Sequence, residues 1–390
     1  MVKLIEITGK ALSGEWGTDD EIGNGIPVLR TTNFTNEGVV DYSDIVTRTI
    51  TKKNIDEKYL RPGDIIIEKS GGSDKQPVGR VIYFDGPGKT YLFNNFTGLL
   101  RVSDQTKWFP KYVFYSLFGN YRRGGTRPFE NKTTGLHNLK TNDYVSRYEI
   151  TETEYAKQVE ISSYLDKLYS IIKMREEELV KLDELIKARF VEMFGEQKIN
   201  PYGFSKSTIG ECCSLKSGTS LPVDKENEGG DIPYVKVGDM NYPGNERYIT
   251  TSSRYVTEDT AGKGLFDVGS IIFPKRGGAI RTNKKRMTVV PICADLNVMG
   301  VSSNGSLMSE YLLVYFDMID MGELADGSSV PQINNKNIAP LEILIPPMEV
   351  QKQFADFVKQ VDKSKVVVLR RLIQDCRNNV FAMHGMLGYL

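Results

Sequence analysis

The stretch GSIIFPKRGGAIRTNKKR, residues 269–286, combines a mainly apolar run, a glycine pair and six cations. The run at 270–273 is typical of a short buried strand. The glycine pair suits either a hairpin turn or a close approach of a ligand to the backbone. A related stretch, GDIIIEKSGGSDKQPVGR, occupies residues 63–80. The chain therefore contains two copies of a strand that is followed by a glycine-containing basic loop.

The two copies belong to a longer internal repeat. GIPVLRTTNF at 25–34 matches DIPYVKVGDM 206 positions later, which is also the separation of the two glycine pairs. GLHNLKTNDY at 135–144 resembles VPQINNKNI at 330–338, so that Leu139 matches Ile333. The dipeptide Asp166-Lys167 matches Asp362-Lys363. Four matches in the same order indicate an old duplication, and we predict two half-molecules, each a globular part followed by a helix.

Composition limits the class of protein. The 390 residues suffice for two domains, and 40% apolar with 26% charged residues is typical of globular proteins. No apolar run is long enough to span a membrane. The four cysteines lack CxxC spacing and suit a reducing compartment, so we expect a cytoplasmic protein. Because the net charge is zero, any nucleic-acid surface must be local.

Two amphipathic stretches are predicted to form long helices. No glycine or proline occurs between Thr151 and Phe194, and apolar residues recur there in steps of three and four. A second such stretch follows Pro346-Pro347. Since each helix has one apolar seam, we expect the two to pair as an antiparallel coiled coil. The predicted seam residues are Leu165, Leu168, Ile172, Leu179, Leu182 and Ile186 in the first helix, and Phe354, Phe357, Val361, Val368 and Leu372 in the second.

The fold class that follows is α+β. We predict two similar α/β domains with short strands, each followed by a long helix. The predicted bounds are 1–150 for the first domain, 151–198 for the central helix, 199–345 for the second domain and 346–390 for the C-terminal helix.

Motifs for catalysis are incomplete. DGPGKT at 85–90 lacks the first glycine of a phosphate-binding loop, whose position holds Tyr83. NPYG at 200–203 lacks the second proline of the NPPY-type loop of amino-methyltransferases. The chain has only two histidines, and we expect one of them, His137, to be a solvated loop residue. We therefore predict no catalytic, cofactor-binding or metal-binding residue in this chain.

Basic residues cluster at corresponding places in the two halves. Six cations and no carboxylate lie between residues 275 and 286, and YRRGGTRPFENK at 121–132 places four cations among aromatic residues. Such loops favour contacts with DNA phosphates and base edges, although a solvated cationic loop would have the same composition. The candidate DNA-binding residues are Arg30, Lys69, Lys75, Arg80, Arg122, Arg123, Arg127, Lys132, Lys236, Lys275, Arg276, Arg281, Lys284, Lys285 and Arg286.

This arrangement resembles the specificity (S) subunits of Type I restriction-modification systems, over nearly the whole chain. IGECCSLKSGTSLP and DIPYVKVGDMN, within 209–241, look like the opening of a target-recognition domain. GSIIFPKRGG is similar to a strand and turn of that family. IPPMEVQKQFADFVKQVDK at 345–363 looks like the start of a spacer helix. The first-half counterpart at 150–167 lacks the proline pair and is more diverged.

The resemblance implies a non-catalytic subunit that reads a bipartite, asymmetric site in double-stranded DNA, with one half-site for each domain. Its helices would bind two methyltransferase (M) subunits and set the spacer between the half-sites, and restriction (R) subunits would join through that core. S-adenosylmethionine, ATP and magnesium would belong to the partner subunits. Two alternatives stay open, namely a scaffold that binds protein rather than DNA, and an unfamiliar DNA-modifying enzyme with a duplicated domain.

Overall fold

The computed structural model describes residues 1–52, 55–133 and 136–386, except the side chains of residues 132, 133, 136 and 379–386. The chain divides into two compact units. The first unit comprises Met1–Arg175 and the chain from Arg371 onward, and the second comprises Glu176–Arg370. Each unit contains one α/β domain and part of each of two long helices. The predicted α+β class is therefore confirmed.

Short strands form both domains. Those of the first domain are β1 Val2–Lys3, β2 Leu12–Ser13, β3 Thr18–Asp19, β4 Ile26–Leu29, β5 Val46–Thr49, β6 Ile65–Glu68, β7 Ser70–Gly72, β8 Val81–Tyr83, β9 Leu92–Phe93, β10 Thr97–Leu100, β11 Glu130–Thr133, β12 Leu136–Leu139 and β13 Glu149–Ile150. Those of the second domain are β14 Ser205–Thr208, β15 Cys213–Ser217, β16 Ile232–Val235, β17 Tyr248–Ile249, β18 Tyr255–Val256, β19 Leu265–Phe266, β20 Ile271–Pro274, β21 Arg286–Thr288, β22 Ile292–Ala294, β23 Val298–Ser303 and β24 Glu342–Ile345.

The α-helices within the domains are short, and the helix that follows each domain in the chain is long. They are α1 Leu4–Thr8, α2 Pro110–Arg122, α3 Thr141–Arg147, α4 Tyr155–Phe194, α5 Ile209–Cys212, α6 Glu258–Ala261, α7 Ser309–Asp317, α8 Met321–Leu324, α9 Asn335–Ile338 and α10 Met348–Met386. Short 3-10 helices lie at Thr31–Asn33, Asp56–Lys58, Arg127–Phe129, Val237–Asn241, Gly262–Gly264 and Gly277–Thr282. None of the helices in the described chain combines the length and apolar character that crossing a membrane requires.

The sheet order shows the duplication. The first domain has the order β2-β10-β6-β8, and the second has β15-β23-β20-β21 with β17 as a further edge strand. In a second sheet, β4 pairs antiparallel with β5 and parallel with β9, and β16 pairs in the same two directions with β18 and β22. The first and last strands of each domain also pair, as β1 with β13 and β14 with β24. These strand pairings are therefore arranged in the same way in the two halves.

Burial on both faces explains the apolar strands β6 and β20. Ile65 and Ile67 pack in the cluster that contains helix α2, whereas Ile66 packs with Leu29 and Phe93 of the neighbouring sheet. Since successive side chains of a strand point to opposite faces, a strand covered on both sides must be apolar throughout. The predicted strands at 64–67 and 270–273 correspond to β6 and β20, each shifted by one residue.

Helices α4 and α10 pair in antiparallel orientation, as predicted. In the second unit, Asp183 of α4 lies 2.5 Å from Lys365 of α10, and the Phe194 ring lies 5.3 Å from that of Phe354. In the first unit, Arg175 lies 4.0 Å from an α10 carboxylate, that of Asp375. Residue numbers rise along one helix as they fall along the other. The structure buries Leu165, Leu168, Ile186, Phe354, Val361 and Val368, and half-buries Ile172, Leu179, Leu182, Phe357 and Leu372.

Candidate nucleic-acid interface

The basic loop at residues 275–286, which joins β20 to β21 and includes the first residue of β21, is fixed at several points. Gly277 has a φ of 71°, which favours glycine, and its N–H donates to the Pro331 carbonyl at 2.8 Å. Ile280 is buried in the main core of the domain. Asn283 ends the 3-10 helix in the left-handed region, and its Oδ1 accepts from the Met321 N–H at 2.9 Å. The loop is therefore held on the domain at both ends.

Two of the six cations in this loop hold it from within. Lys285 is only 4% exposed, and its Nζ donates to the Ile319 carbonyl and to Asn283 Oδ1, each at 2.7 Å. Burial lowers the pKa of Lys285 to about 8 and also lowers the pKa of Arg286. The Arg286 Nε donates to the Asn245 carbonyl at 2.6 Å. A DNA phosphate would have to displace these internal acceptors.

The other four cations are more accessible. Lys284 Nζ donates to Asn241 Oδ1, and Lys275 Nζ donates to Ser217 Oγ at 2.9 Å. Arg276 and Arg281 are exposed, and neither has a side-chain partner within the described part of the chain. Arg276 directly precedes the glycine pair, and Arg281 directly follows the buried Ile280. The loop thus offers two open guanidinium groups on a fixed backbone.

Lys69 of the first domain, which corresponds to Lys275, makes equivalent contacts. Lys69 Nζ donates to Ser13 Oγ at 2.8 Å, as Lys275 does to Ser217. The Lys69 carbonyl accepts from the Leu139 N–H at 2.8 Å, and the Lys275 carbonyl accepts from the Ile333 N–H at 2.9 Å. The sequence match of Leu139 with Ile333 is therefore confirmed by equivalent backbone contacts. Burial is the main cause of a lowered pKa at Lys69.

Three further candidates are paired with carboxylates. Arg30 lies 2.8 Å from Asp44, and Lys236 lies 2.7 Å from Glu226. Arg80 forms a two-point ion pair with the buried Glu68, at 2.8 and 3.2 Å. Its guanidinium also donates to the carbonyls of residues 31 and 34. Arg80 thereby ties β6 and β8 to the preceding loop, and its charge is already compensated.

The remaining first-domain cations lie around one loop. Lys75, Arg122, Arg123 and Arg127 are exposed. Arg122 donates to the Asn36 carbonyl at 3.4 Å, and Gln76, next to Lys75, donates to Asn36 Oδ1 at 3.3 Å. Asn36 therefore links the loop that contains Lys75 to the end of α2. Lys132 lies in β11, but its side chain is outside the described part of the structure. The sequence did not single out Asn36 or Gln76, since exposed amides have no distinctive pattern.

His137 is not solvated, and that prediction was wrong. It lies in β12, between β11 and β7, and is 5% exposed. Its Nδ1 is 3.1 Å from Glu130 Oε2 and its Nε2 is 3.6 Å from Asp74 Oδ1. His137 is thus part of the three-stranded sheet β11-β12-β7, which a loop assignment could not foresee. In the portion of the chain that is described, no group of three or more His, Cys, Asp or Glu residues could hold a metal ion.

The glycine pairs differ between the domains. Gly71-Gly72 belongs to β7, which pairs with β12, whereas Gly277-Gly278 begins a 3-10 helix. Neither pair forms the two-residue turn of a tight hairpin. The two loops thus present different surfaces from the same position in a shared frame.

Comparison with known proteins shows which proteins this chain is similar to. Residues 201–374 match the family model described as Type I restriction modification DNA specificity domain. The chain is 23% identical to the Type I restriction enzyme MjaIX specificity subunit of Methanocaldococcus jannaschii, over 96% of this chain and 90% of that protein. It is 19% identical to the putative MjaX specificity subunit of the same organism, over 92% of this chain and 85% of that protein.

Solved structures show the same fold. A chain from a type I R-M system superimposes with a TM-score of 0.58 at 15% identity, and covers 99% of this chain and 96% of its own length. The Type I restriction-modification S subunit from M. genitalium gives 0.55 at 15% identity, with 99% and 95% coverage. Residues 201–374 thus match a Type I restriction modification DNA specificity domain, and over nearly its whole length the chain is similar to specificity subunits of Type I restriction-modification systems and shares their fold.

Proposed function

We propose that this chain reads a bipartite, asymmetric site in double-stranded DNA and directs methyltransferase and restriction subunits to it. Each domain would contact one half-site. The observation that carries this proposal is the pair of open arginines, Arg276 and Arg281, on a loop whose other cations hold it in place. A fixed backbone lowers the entropy cost of binding through such side chains, which favours specific contacts.

The duplicated frame supports one contact surface for each domain. Lys75 and Arg281 are 206 positions apart, and both are exposed within the connection between two antiparallel strands. Neither has a side-chain partner in the described regions. Because the first loop includes a strand and the second a 3-10 helix, the two surfaces differ. Different surfaces on equivalent frames are what an asymmetric site requires.

The helix pair would bind the methyltransferase subunits. In the second unit, α4 exposes Val180 and Leu185, while α10 exposes Val366, Val367 and Leu369. In the first unit, Met174 and Ile373 are exposed on the same two helices. Exposed apolar side chains on these helices are available for burial by a protein partner. We assign two methyltransferase subunits to these surfaces, with the restriction subunits joined through them.

The chain would act without a catalytic centre of its own. Burial raises the pKa of the thiols of Cys212, Cys213 and Cys293, in the last case to about 11, so these groups stay protonated and are weak nucleophiles. S-adenosylmethionine, ATP and magnesium would be bound by the partner subunits.

The salt dependence of DNA binding tests the proposed contacts. The variant Arg276→Ala/Arg281→Ala, assembled with its methyltransferase, should bind its target more weakly. The slope of log K against log salt should fall by roughly 0.9 for each phosphate that the variant no longer neutralises. The control variant Lys263→Ala/Lys352→Ala removes two exposed cations elsewhere and gives the same net charge. An equal effect in both variants, or none in the first, would contradict the proposed contacts.

A further inference from the structure

Each long helix is joined to its own domain by an equivalent buried glutamine. Gln158 Oε1 of α4 accepts from the Phe109 N–H, just before α2, at 2.9 Å. Gln351 Oε1 of α10 accepts from the Met308 N–H, just before α7, at 2.8 Å. Each amide nitrogen donates to two nearby carbonyl oxygens. These contacts define the structural match of the two helices, in which residue 158 corresponds to residue 351.

An ion pair lies next to each glutamine, and its polarity is reversed between the two halves. Lys111 of α2 lies 2.9 Å from Asp166 of α4. Glu310 of α7 lies 3.3 Å from Lys359 of α10. In both cases the charged residue on the long helix follows the glutamine by eight positions. The charged residue on the domain follows, by two positions, the residue whose N–H donates to that glutamine. The same junction thus has a cation on the domain in one half and an anion there in the other.

Several other contacts are shared by the two junctions. Tyr112 and Tyr311 occupy equivalent positions in α2 and α7, and each hydroxyl donates to a backbone carbonyl. The helix residues that correspond, such as Leu165 and Val358, are both buried and apolar. These shared contacts could form between either domain and either helix, so they do not select between the two pairings.

We propose that the reversed ion pair directs each domain to its own helix. If the first domain docked on α10, Lys111 would face Lys359. If the second domain docked on α4, Glu310 would face Asp166. Like charges at close range disfavour the wrong partner, while the correct docking satisfies both charges. The proposal concerns the folding of the chain and does not depend on DNA binding.

The second domain should discriminate more strongly than the first between the correct and the wrong helix. In the wrong pair of the second domain, Glu310 is 11% and Asp166 39% exposed, whereas in that of the first domain Lys111 is 30% and Lys359 55% exposed. A carboxylate that is less exposed to water is less screened, so repulsion from Asp166 would be felt more at Glu310. Asp166 also accepts from the Tyr115 hydroxyl at 2.5 Å, whereas the position equivalent to Tyr115 is Val314.

Charge-neutral variants of the full-length chain test the pairs. Lys111→Glu/Glu310→Lys puts like charges at both junctions without changing the net charge. Adding Asp166→Lys and Lys359→Glu makes both pairs opposite again. We expect the first variant to unfold at lower temperature, with each pair worth up to roughly fivefold in the folded-to-unfolded ratio, and the fourfold variant to recover most of that stability. Unchanged stability in the first variant, or no recovery in the fourfold one, would overturn the proposal.

A transplanted domain tests the choice of helix directly. In a chimera, residues 205–345 replace residues 2–150, so that a second-type domain precedes α4. Glu310→Lys in the transplanted copy of the domain should make this chimera more stable than the unsubstituted chimera, because the new cation would face Asp166. Glu323→Lys in that chimera is the matched control. Equal stability for the two substitutions would show that the ion pair does not select the helix. If neither chimera folds, variants of the native chain decide. Glu310→Lys and Lys359→Glu should each lower the stability, and the double variant should recover it, since only a selective pair gives this recovery.

Discussion

Lys285 Nζ lies 2.7 Å from the carbonyl oxygen of Ile319, which places this cation inside the second domain rather than on its surface. Arg281, four residues earlier, is exposed and has no side-chain partner in the described chain. One basic cluster therefore contains residues with two different tasks. Lys285 holds the loop on the domain, and Arg281 is free to contact a ligand.

The first prediction separates these tasks by mutation. Lys285→Ala should lower the free energy of unfolding by about 1–3 kcal/mol, because the Ile319 carbonyl is left without its hydrogen-bond donor. The salt slope of DNA binding should not change, since Lys285 neutralises no phosphate. Arg281→Ala should reverse this pattern, with stability within about 0.5 kcal/mol of the wild type and a smaller slope. Chemical denaturation and binding titrations at several salt concentrations measure both quantities. The same response in both variants would show that the two residues share one task.

The second prediction concerns pH. Burial holds the pKa of Lys285 at about 8 in the folded chain, below its ordinary value. Between these two values the unfolded chain binds more protons at this residue, so its contribution to stability rises with pH. The stability difference between wild type and Lys285→Ala should therefore shift in favour of the wild type as pH rises from about 8 to 10. Denaturation at pH 7.5 and 9.5 checks this. A difference that is independent of pH would mean that Lys285 stays fully charged when folded.

The third prediction uses the helix pair as a ruler between the half-sites. Asp183 faces Lys365, and Arg175 faces Asp375, so an insertion has to be made at the same level in both helices. Four extra residues after Glu178 and four after Arg370 add about one turn, or roughly 6 Å, and keep both apolar seams nearly in phase. The spacer should lengthen by about one or two base pairs, at roughly 3.4 Å each. Insertions of two residues rotate the seams and should impair folding. An unchanged spacer in an active four-residue variant would contradict the ruler.

Local sequence patterns were sufficient to predict the strands β6 and β20 to within one residue, the paired helices and the duplication. The match of Asp166 with Asp362, however, is wrong in register. The glutamine contacts pair residue 158 with 351, so Asp166 corresponds to Lys359, and Asp362 instead accepts a hydrogen bond from Tyr248 and lies close to Arg247. A shift of three positions keeps the apolar stripe of a helix nearly in phase, so periodicity could not detect the error.

The role of each cation could not be predicted from composition. Lys284, Lys285 and Arg286 are adjacent in sequence, yet each has a partner about 40 residues away, at positions 241, 319 and 245 respectively. Only the tertiary fold brings these acceptors to the loop. The exposure of Arg276 and Arg281 follows from the same packing, which turns Ile280 inward and leaves its charged neighbours in solvent.

Methylation-site mapping of a domain exchange tests most directly whether each domain reads one half of the target. Residues 205–340 are replaced by the corresponding residues of another specificity subunit, and the variant is assembled with its methyltransferase. We predict that one half of the methylated sequence changes to that of the donor, while the other half and the spacer stay the same. A change in both halves of the sequence, or in neither, in an active complex would contradict independent reading by the two domains.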